Sequence, residues 1–160
     1  MITITIDSNC INARGNLIYM NKIEEAETEG KIKIFKTDTM DTEFLKGRKY
    51  EIGRKKSEKY EEDIGILVLG HSRLGHAKLT DKNQAKKFNL IKDTLFPNKK
   101  LTENDLRDCM HLHTHVMYKR DFFITEDKKI IDNADKMKKE FDTEIISPKD
   151  FYEKILKDNN

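Results

Sequence analysis

Hydrophobic and polar residues alternate along short stretches of this chain, a pattern typical of β-strands. The stretches "MITITID" at 1–7 and "KIKIF" at 31–35 alternate with period two and are rich in β-branched residues. The stretches "DFFIT" at 121–125 and "TEIIS" at 143–147 are short apolar runs, and "DIGILVLG" at 63–70 is a longer one. The pattern therefore predicts five strands, with 63–70 as a central strand.

Helical spacing of apolar residues occupies the intervals between these strands. It predicts helices in the segments 17–29, 37–47, 83–96, 101–119, 126–141 and 148–158. Boundary residues support three of them: Gly30 as a C-cap, Thr102 with Asp105 as a capping box, and Pro148 in a first turn. Residues 46–63 are charged and have no clear period, so we expect a loop there.

Strands that alternate with helices predict an α/β domain with a central, mostly parallel sheet flanked by helices. A chain of 160 residues can bury a full hydrophobic core, so we expect a single domain over 1–160. The 31 Lys and Arg nearly balance the 29 Asp and Glu, and the net charge of +2 argues against a uniformly basic nucleic-acid binder.

The chain has no feature that predicts export or membrane insertion. No basic segment followed by a long apolar run marks a signal peptide, and no stretch approaches the roughly 20 apolar residues of a transmembrane helix. Cys10 and Cys109 have no metal-binding spacing and lie among apolar neighbours, so we expect buried thiols in a reducing compartment. Together these observations predict a soluble cytoplasmic protein without a membrane partner.

Three of the five histidines lie in "DCMHLHTHVM" at 108–117. On a strand they would share one face, as three zinc ligands could. On a helix, at about 100° per residue, the apolar stripe consists of Leu106, Met110, His113 and Met117, whereas Asp108, His111 and His115 lie on another face. The apolar period favours the helix. A zinc protein that uses the histidines remains an alternative, because His111 and His115 are spaced i, i+4.

Acidic residues follow the predicted strands at positions where chemistry is expected. Asp7 ends the first strand and Asp127 lies two residues beyond "DFFIT", while Asp108 and Glu43 lie on predicted helices. In a parallel sheet the carboxyl ends of the strands form the ligand-binding crevice. Clustered carboxylates favour Mg²⁺ or Mn²⁺, which can activate water and stabilise a phosphodiester displacement. The alternative, that each acid is an ordinary cap or surface charge, remains open from the pattern.

Several motifs in chain order resemble those of PIN domains. "ITIDSNCIN" is similar to the family's opening strand with its Asp, and "TDTMDTEFL" to the helix that carries its Glu. "DCMHLHTH" resembles the D-x-x-H-L-A-x-A form, and "RDFFITEDKKI" the strand that ends in Thr-x-Asp. "ISPKDF" resembles the closing step from strand to helix. His113 and His115 replace small residues of the family pattern, and the middle of the chain, 46–100, has no matching motif.

The resemblance implies a three-layer, metal-dependent ribonuclease that hydrolyses single-stranded RNA. It assigns the acidic metal-binding and catalytic positions to Asp7, Glu43, Asp108 and Asp127, with Mg²⁺ or Mn²⁺ as cofactor. Asn9, Thr125 and His111 would support them by hydrogen bonding. On charge alone, the RNA contacts predicted near the acids are Arg14, Arg73, Lys128 and the "GRKK" segment around Arg54.

The resemblance also suggests a biological setting, the toxin of a toxin–antitoxin pair, with an inhibitory protein partner and a homodimer as further expectations. The alternative function is a non-catalytic PIN-like module that binds RNA or a protein. Retention of all four acids favours the enzyme, because a binding module has no reason to direct clustered negative charge at phosphate.

Overall fold

The computed structural model describes residues 1–12, 17–43, 48–69, 71–72 and 77–157. Its five strands form one sheet in the order β3-β2-β1-β4-β5, and every pairing between neighbours is parallel. The strands are β1 (Ile2–Ile6), β2 (Ile32–Thr37), β3 (Glu61–Asp63), β4 (Phe122–Ile124) and β5 (Glu144–Ile146).

Helices lie between the strands along the described chain. They are α1 (Ser8–Asn12), α2 (Leu17–Thr28), α3 (Asp38–Glu43), α4 (Arg48–Ser57), α5 (Lys82–Leu95), α6 (Glu103–Tyr118), α7 (Lys128–Ile131), α8 (Ala134–Phe141) and α9 (Pro148–Phe151), which continues as a π-helix, Tyr152–Leu156. The prediction of an α/β fold with a central parallel sheet flanked by helices is confirmed. No helix in the described ranges is long and apolar enough to cross a membrane.

The sheet has a hydrophobic core on each face, because successive strand residues point to opposite sides. One core includes Ile4 and Ile6 of β1 with Ile23 of α2 and Phe151 of α9. The other packs α5, α6 and α8 against the opposite face, where Phe123 of β4 is fully buried. The result is three layers, with α6 crossing the face that carries Thr5.

Local signals at the helix ends are formed as predicted. Thr102 caps α6, and its side chain and that of Asp105 accept each other's backbone amide protons in a capping box. Gly30, after α2, has a φ of 74°, which glycine adopts without the strain of a Cβ atom. Pro148 lies in the first turn of α9, and both cysteines are buried and free.

The predicted central strand at 63–70 was wrong. Strand β3 is instead the polar segment Glu61–Asp63, at the edge of the sheet. In the described part of the apolar run after it, Ile66 forms an isolated bridge with Lys78. The run leaves the sheet because Gly65 donates its amide proton to Asp38 Oδ1 at 3.0 Å. A Cβ atom on Gly65 would lie 2.5 Å from Thr114 Oγ1, so this close approach to α6 requires glycine.

Two further predictions need correction. The segment 46–63 was expected to be a loop, yet α4 covers Arg48–Ser57. Within 51–57, the part of α4 whose burial is described, the buried residues are the small Gly53 and Ser57, spaced i, i+4, while Ile52 is exposed. The single helix predicted for 126–141 is two helices, α7 and α8, separated around Asn133.

Candidate active site

The strand order reverses between β1 and β4, and this reversal places the site. The chain proceeds from β1 to β2 and β3 on one side, whereas β4 and β5 lie on the other. In open α/β sheets a ligand crevice forms at such a switch point, beyond the carboxyl ends of the strands. Asp7 directly follows β1 and Thr125 directly follows β4, and the Asp7 amide donates to Ile124 O at 2.9 Å. We call this region the acidic edge; it also includes Glu43, Asp108, His111 and Asp127.

Asp7 is held in one orientation by four donors. The Ser8 amide and hydroxyl donate to Oδ1, at 2.7 and 3.5 Å. Asn9 Nδ2 and Thr125 Oγ1 both donate to Oδ2, each at 2.7 Å. Asp7 is 4 % exposed. Burial raises its pKa above the ordinary value, and the charge of His111 and the hydrogen bond from Thr125 oppose that rise.

Asp127 reaches the same edge from the loop after β4. Its amide donates to Thr125 Oγ1 at 3.0 Å, so Thr125 connects Asp7 to the loop that carries Asp127. Asp127 also caps α7, because its Oδ1 accepts the Lys129 amide proton at 2.8 Å. Asn9 Oδ1 accepts the Glu126 amide proton at 3.1 Å, which is a second hydrogen-bonded connection between the segment after β1 and the loop after β4.

Glu43 and His111 meet inside the edge. Nε2 of His111 lies 3.4 Å from Oε2 of Glu43, and neither atom has a hydrogen-bond partner in the described part of the chain. Nδ1 of His111 lies 2.5 Å from Oγ1 of Thr37, at the end of β2. Burial would lower the pKa of His111, but the neighbouring charges of Glu43, Asp7 and Asp108 raise it to about 9, so the imidazole is a buried cation.

The pKa of Glu43 lies below its ordinary value. Burial acts to raise it, but the charge and proximity of His111, the nearby Ser8 hydroxyl and the charge of Arg107 outweigh burial. Ser8 therefore acts on two of the acids, through its hydrogen bonds to Asp7 and its effect on the pKa of Glu43. Glu43 is the last residue of α3, and the segment after it, 44–47, lies outside the described residues.

Asp108 differs from the other acids of the edge in its surroundings. It lies in the second turn of α6, and among the described residues no group hydrogen-bonds to its carboxylate. Burial first, and then the charges of Asp7, Asp127 and Glu43, raise its pKa to about 7, while His111 opposes them. Four carboxylates from separate elements thus share one electrostatic environment.

The remaining predicted residues are placed as follows. Lys128 is exposed, directly after Asp127, whereas Arg14 and Arg73 lie outside the described residues. His115 contacts Thr5 and Thr143 and His113 contacts the backbone of Gln84, so neither joins the acidic edge. Sequence reasoning missed Arg107, which precedes Asp108 and acts on the charge of Glu43. Its position one residue before a candidate acid was the available signal.

The donor types at the acidic edge fit Mg²⁺ or Mn²⁺, which prefer carboxylate oxygens. Glu43 Oε2 is buried without a hydrogen-bond donor among the described residues, although it lies 3.4 Å from His111 Nε2. The charges of three other carboxylates act on Asp108, and His111 opposes them, so a divalent cation would add positive charge to a predominantly acidic environment. Within the described ranges, however, no three His, Cys, Asp or Glu side chains are arranged so that they could hold a metal ion as they stand. The four acids would therefore have to draw closer on binding.

No protein-family model matches the chain, and no curated protein is significantly similar to it in sequence. The resemblance to PIN domains therefore rests on the quoted motifs.

Proposed function

We propose that this chain is a PIN-like, Mg²⁺- or Mn²⁺-dependent endoribonuclease that hydrolyses phosphodiester bonds of single-stranded RNA at the acidic edge. The observation that carries the proposal is the environment of Asp108. Its carboxylate has no hydrogen-bond donor among the described residues, and burial together with the charges of Asp7, Asp127 and Glu43 acts on it more strongly than the opposing charge of His111. Such an arrangement is unfavourable in the free protein and becomes favourable when a cation binds.

Each residue of the edge has a role in this proposal. Asp7, Asp108, Asp127 and Glu43 would hold the cation, with Asp7 already oriented by Asn9 and Thr125. His111 holds Glu43 in place from the inner side and offsets part of the negative charge in the metal-free protein. A bound Mg²⁺ or Mn²⁺ would supply an activated water and stabilise charge on the phosphate oxygens.

The acids also affect how RNA can bind to the site. In the metal-free protein the four carboxylates repel an RNA phosphate, so substrate binding and metal binding are expected to be coupled. Neither cysteine is a nucleophile in this proposal: both thiols are buried, and burial raises the pKa of Cys109 to about 12. The proposed reaction therefore proceeds by direct attack of water, without a covalent enzyme intermediate.

The test is cleavage of a 5′-labelled single-stranded RNA of mixed sequence in Mn²⁺, in Mg²⁺ and in EDTA. We expect metal-dependent cleavage by the wild type and a rate at least about 100-fold lower for Asp7→Asn and Asp108→Asn. Glu29→Gln is the matched control: Glu29 is an exposed acid that pairs with Lys31 before β2, at the opposite end of the strands. Circular dichroism and thermal unfolding establish that each variant is folded.

Folded protein that binds the RNA but does not cleave it in either metal would refute the nuclease and favour the non-catalytic PIN-like module. Cleavage that survives EDTA, or that Asp7→Asn retains in full, would refute the acidic site. The expected setting, a cytoplasmic toxin with an inhibitory protein partner, belongs to the same proposal and rests on the resemblance to PIN domains.

A further inference from the structure

Arg107 lies at the acidic edge, although no motif assigns it a role. It precedes Asp108 on α6 and is four residues before His111, so Arg107 and His111 share a helix face. Its side chain is 13 % exposed. Its positive charge lowers the pKa of Glu43, which places the guanidinium within electrostatic reach of the candidate metal ligands.

The guanidinium is only partly used by the protein. Its Nη2 pairs with Glu103 Oε1 one helical turn earlier, and the Glu103 side chain is 50 % exposed. Its Nε is buried and has no hydrogen-bond partner among the described residues. A guanidinium has five N–H donors in a planar fork that matches phosphate oxygens, so Arg107 retains donors for a ligand.

Two other cations near the acidic edge, His111 and Lys129, are already directed at protein groups. The cation of His111 is buried, with its two nitrogens directed at Thr37 and Glu43, so it cannot reach a substrate. Lys129 extends towards Asp105, 3.6 Å from its Oδ1. Arg107 instead combines a side chain that is 13 % exposed with a position beside Asp108.

We propose that Arg107 binds a phosphodiester group of the RNA next to the acidic edge, and that it exchanges its ion pair with Glu103 for the phosphate oxygens. This inference rests on the proposed nuclease function. The exchange is feasible because half of the Glu103 side chain is exposed, so water can replace Arg107 as its partner, whereas hydrogen bonds from a guanidinium to phosphate are charge-assisted and bidentate. Glu103 thus acts as a competitor that occupies Arg107 until RNA arrives.

The two residues of the pair are therefore expected to have opposite effects. Arg107→Gln should raise KM for single-stranded RNA by about 10-fold to 100-fold, the range expected for a lost charge-assisted hydrogen bond. It should also make the slope of the logarithm of the binding constant against the logarithm of salt concentration shallower by about 1, as expected for the loss of one phosphate contact. Glu103→Gln should lower KM by about 2-fold to 5-fold, because it releases the guanidinium. Arg107→Lys should recover part of the loss but not the bidentate geometry.

The experiment measures kcat and KM for Mn²⁺-dependent RNA cleavage by these variants and by the double variant Glu103→Gln/Arg107→Gln. In the double variant the decrease in KM caused by Glu103→Gln should vanish, because no guanidinium remains to be released. A decrease that persists there would reflect general removal of negative charge and would overturn the exchange. Lys154→Gln, which also removes a cation from an i, i+4 pair, is the control and should leave KM within about 2-fold.

The inference is overturned if both single variants change KM in the same direction or if neither changes it, since a structural ion pair would give that result. This outcome leaves the nuclease proposal intact, because wild-type cleavage is measured in the same series. If the folded wild type cleaves no RNA in Mn²⁺ or Mg²⁺, the nuclease proposal fails and this inference fails with it.

Discussion

His115 makes the stability of this protein depend on pH in a predictable direction. The imidazole is fully buried between α6 and the sheet. Its Nδ1 lies 2.9 Å from Thr5 Oγ1, its Nε2 lies 2.6 Å from Thr143 Oγ1, and its ring packs edge-on against Phe123. Burial, with a smaller contribution from the charge of Arg120, lowers its pKa from 6.5 to about 3.

The sign and size of the effect follow from this shift. Below pH 6.5 the unfolded chain protonates His115 whereas the folded protein does not, so protons favour unfolding. The stabilising contribution is fully present above pH 6.5 and is lost as the pH falls towards 3. At about 1.4 kcal/mol per pH unit, the loss between pH 7 and pH 5 is about 2 kcal/mol.

The assay is urea unfolding at pH 7, 6 and 5 for the wild type, His115→Gln and Thr143→Ala. The wild type should lose about 2 kcal/mol more between pH 7 and pH 5 than His115→Gln, because other titrating groups contribute equally to both proteins. Thr143→Ala is the matched control: it removes one hydrogen bond of His115 but keeps the imidazole, so the steeper dependence should remain. Equal pH dependence in the wild type and His115→Gln would refute the reasoning.

Three further predictions concern stability. Asp108→Asn should stabilise the metal-free protein at pH 8 by up to about 4 kcal/mol, because the pKa of Asp108 is raised from 3.8 to about 7 on folding and ionisation of this carboxyl therefore destabilises the folded protein as the pH rises from 4 to 7. A lower thermal midpoint for the variant would contradict this. Gly65→Ala should destabilise by about 1–3 kcal/mol in urea unfolding, and Thr114→Ala should relieve part of that loss, which an equal cost in both backgrounds would contradict. Thr102→Ala should cost about 1 kcal/mol in the same assay by removing the cap of α6, and an unchanged midpoint would contradict that role.

Local patterns in the sequence predicted much of the fold because the interactions they report are local. The alternation in "MITITID" forms β1, with Ile4 and Ile6 on one face and Thr5 on the other. The capping box of Thr102 and Asp105 marked the start of α6 correctly, since both partners lie within one turn. The histidine pattern likewise predicted a helix, and the helix is α6.

The missed elements depend on contacts between distant segments. The run "IGILVLG" has the composition of a buried strand, but Gly65 packs against Thr114 and bonds to Asp38, contacts that no local pattern reports. Within 51–57 of helix α4 the buried residues are Gly53 and Ser57, which are too small to give the apolar signal from which a helix is predicted. In the candidate site, spacing predicted acids at strand ends. The lack of a hydrogen-bond donor to Asp108 could not be predicted, because it depends on how the elements that carry the four acids pack together.

The most direct test of the acidic edge is a titration with Mn²⁺ followed by electron paramagnetic resonance, which reports free Mn²⁺ as it disappears on binding. We predict that the wild type binds Mn²⁺, that Asp7→Asn and Asp108→Asn each weaken binding by at least about 10-fold, and that Glu29→Gln binds as the wild type does. A folded wild type that leaves millimolar Mn²⁺ free, or acid variants that bind it with unchanged affinity, would contradict a cation site at the acidic edge.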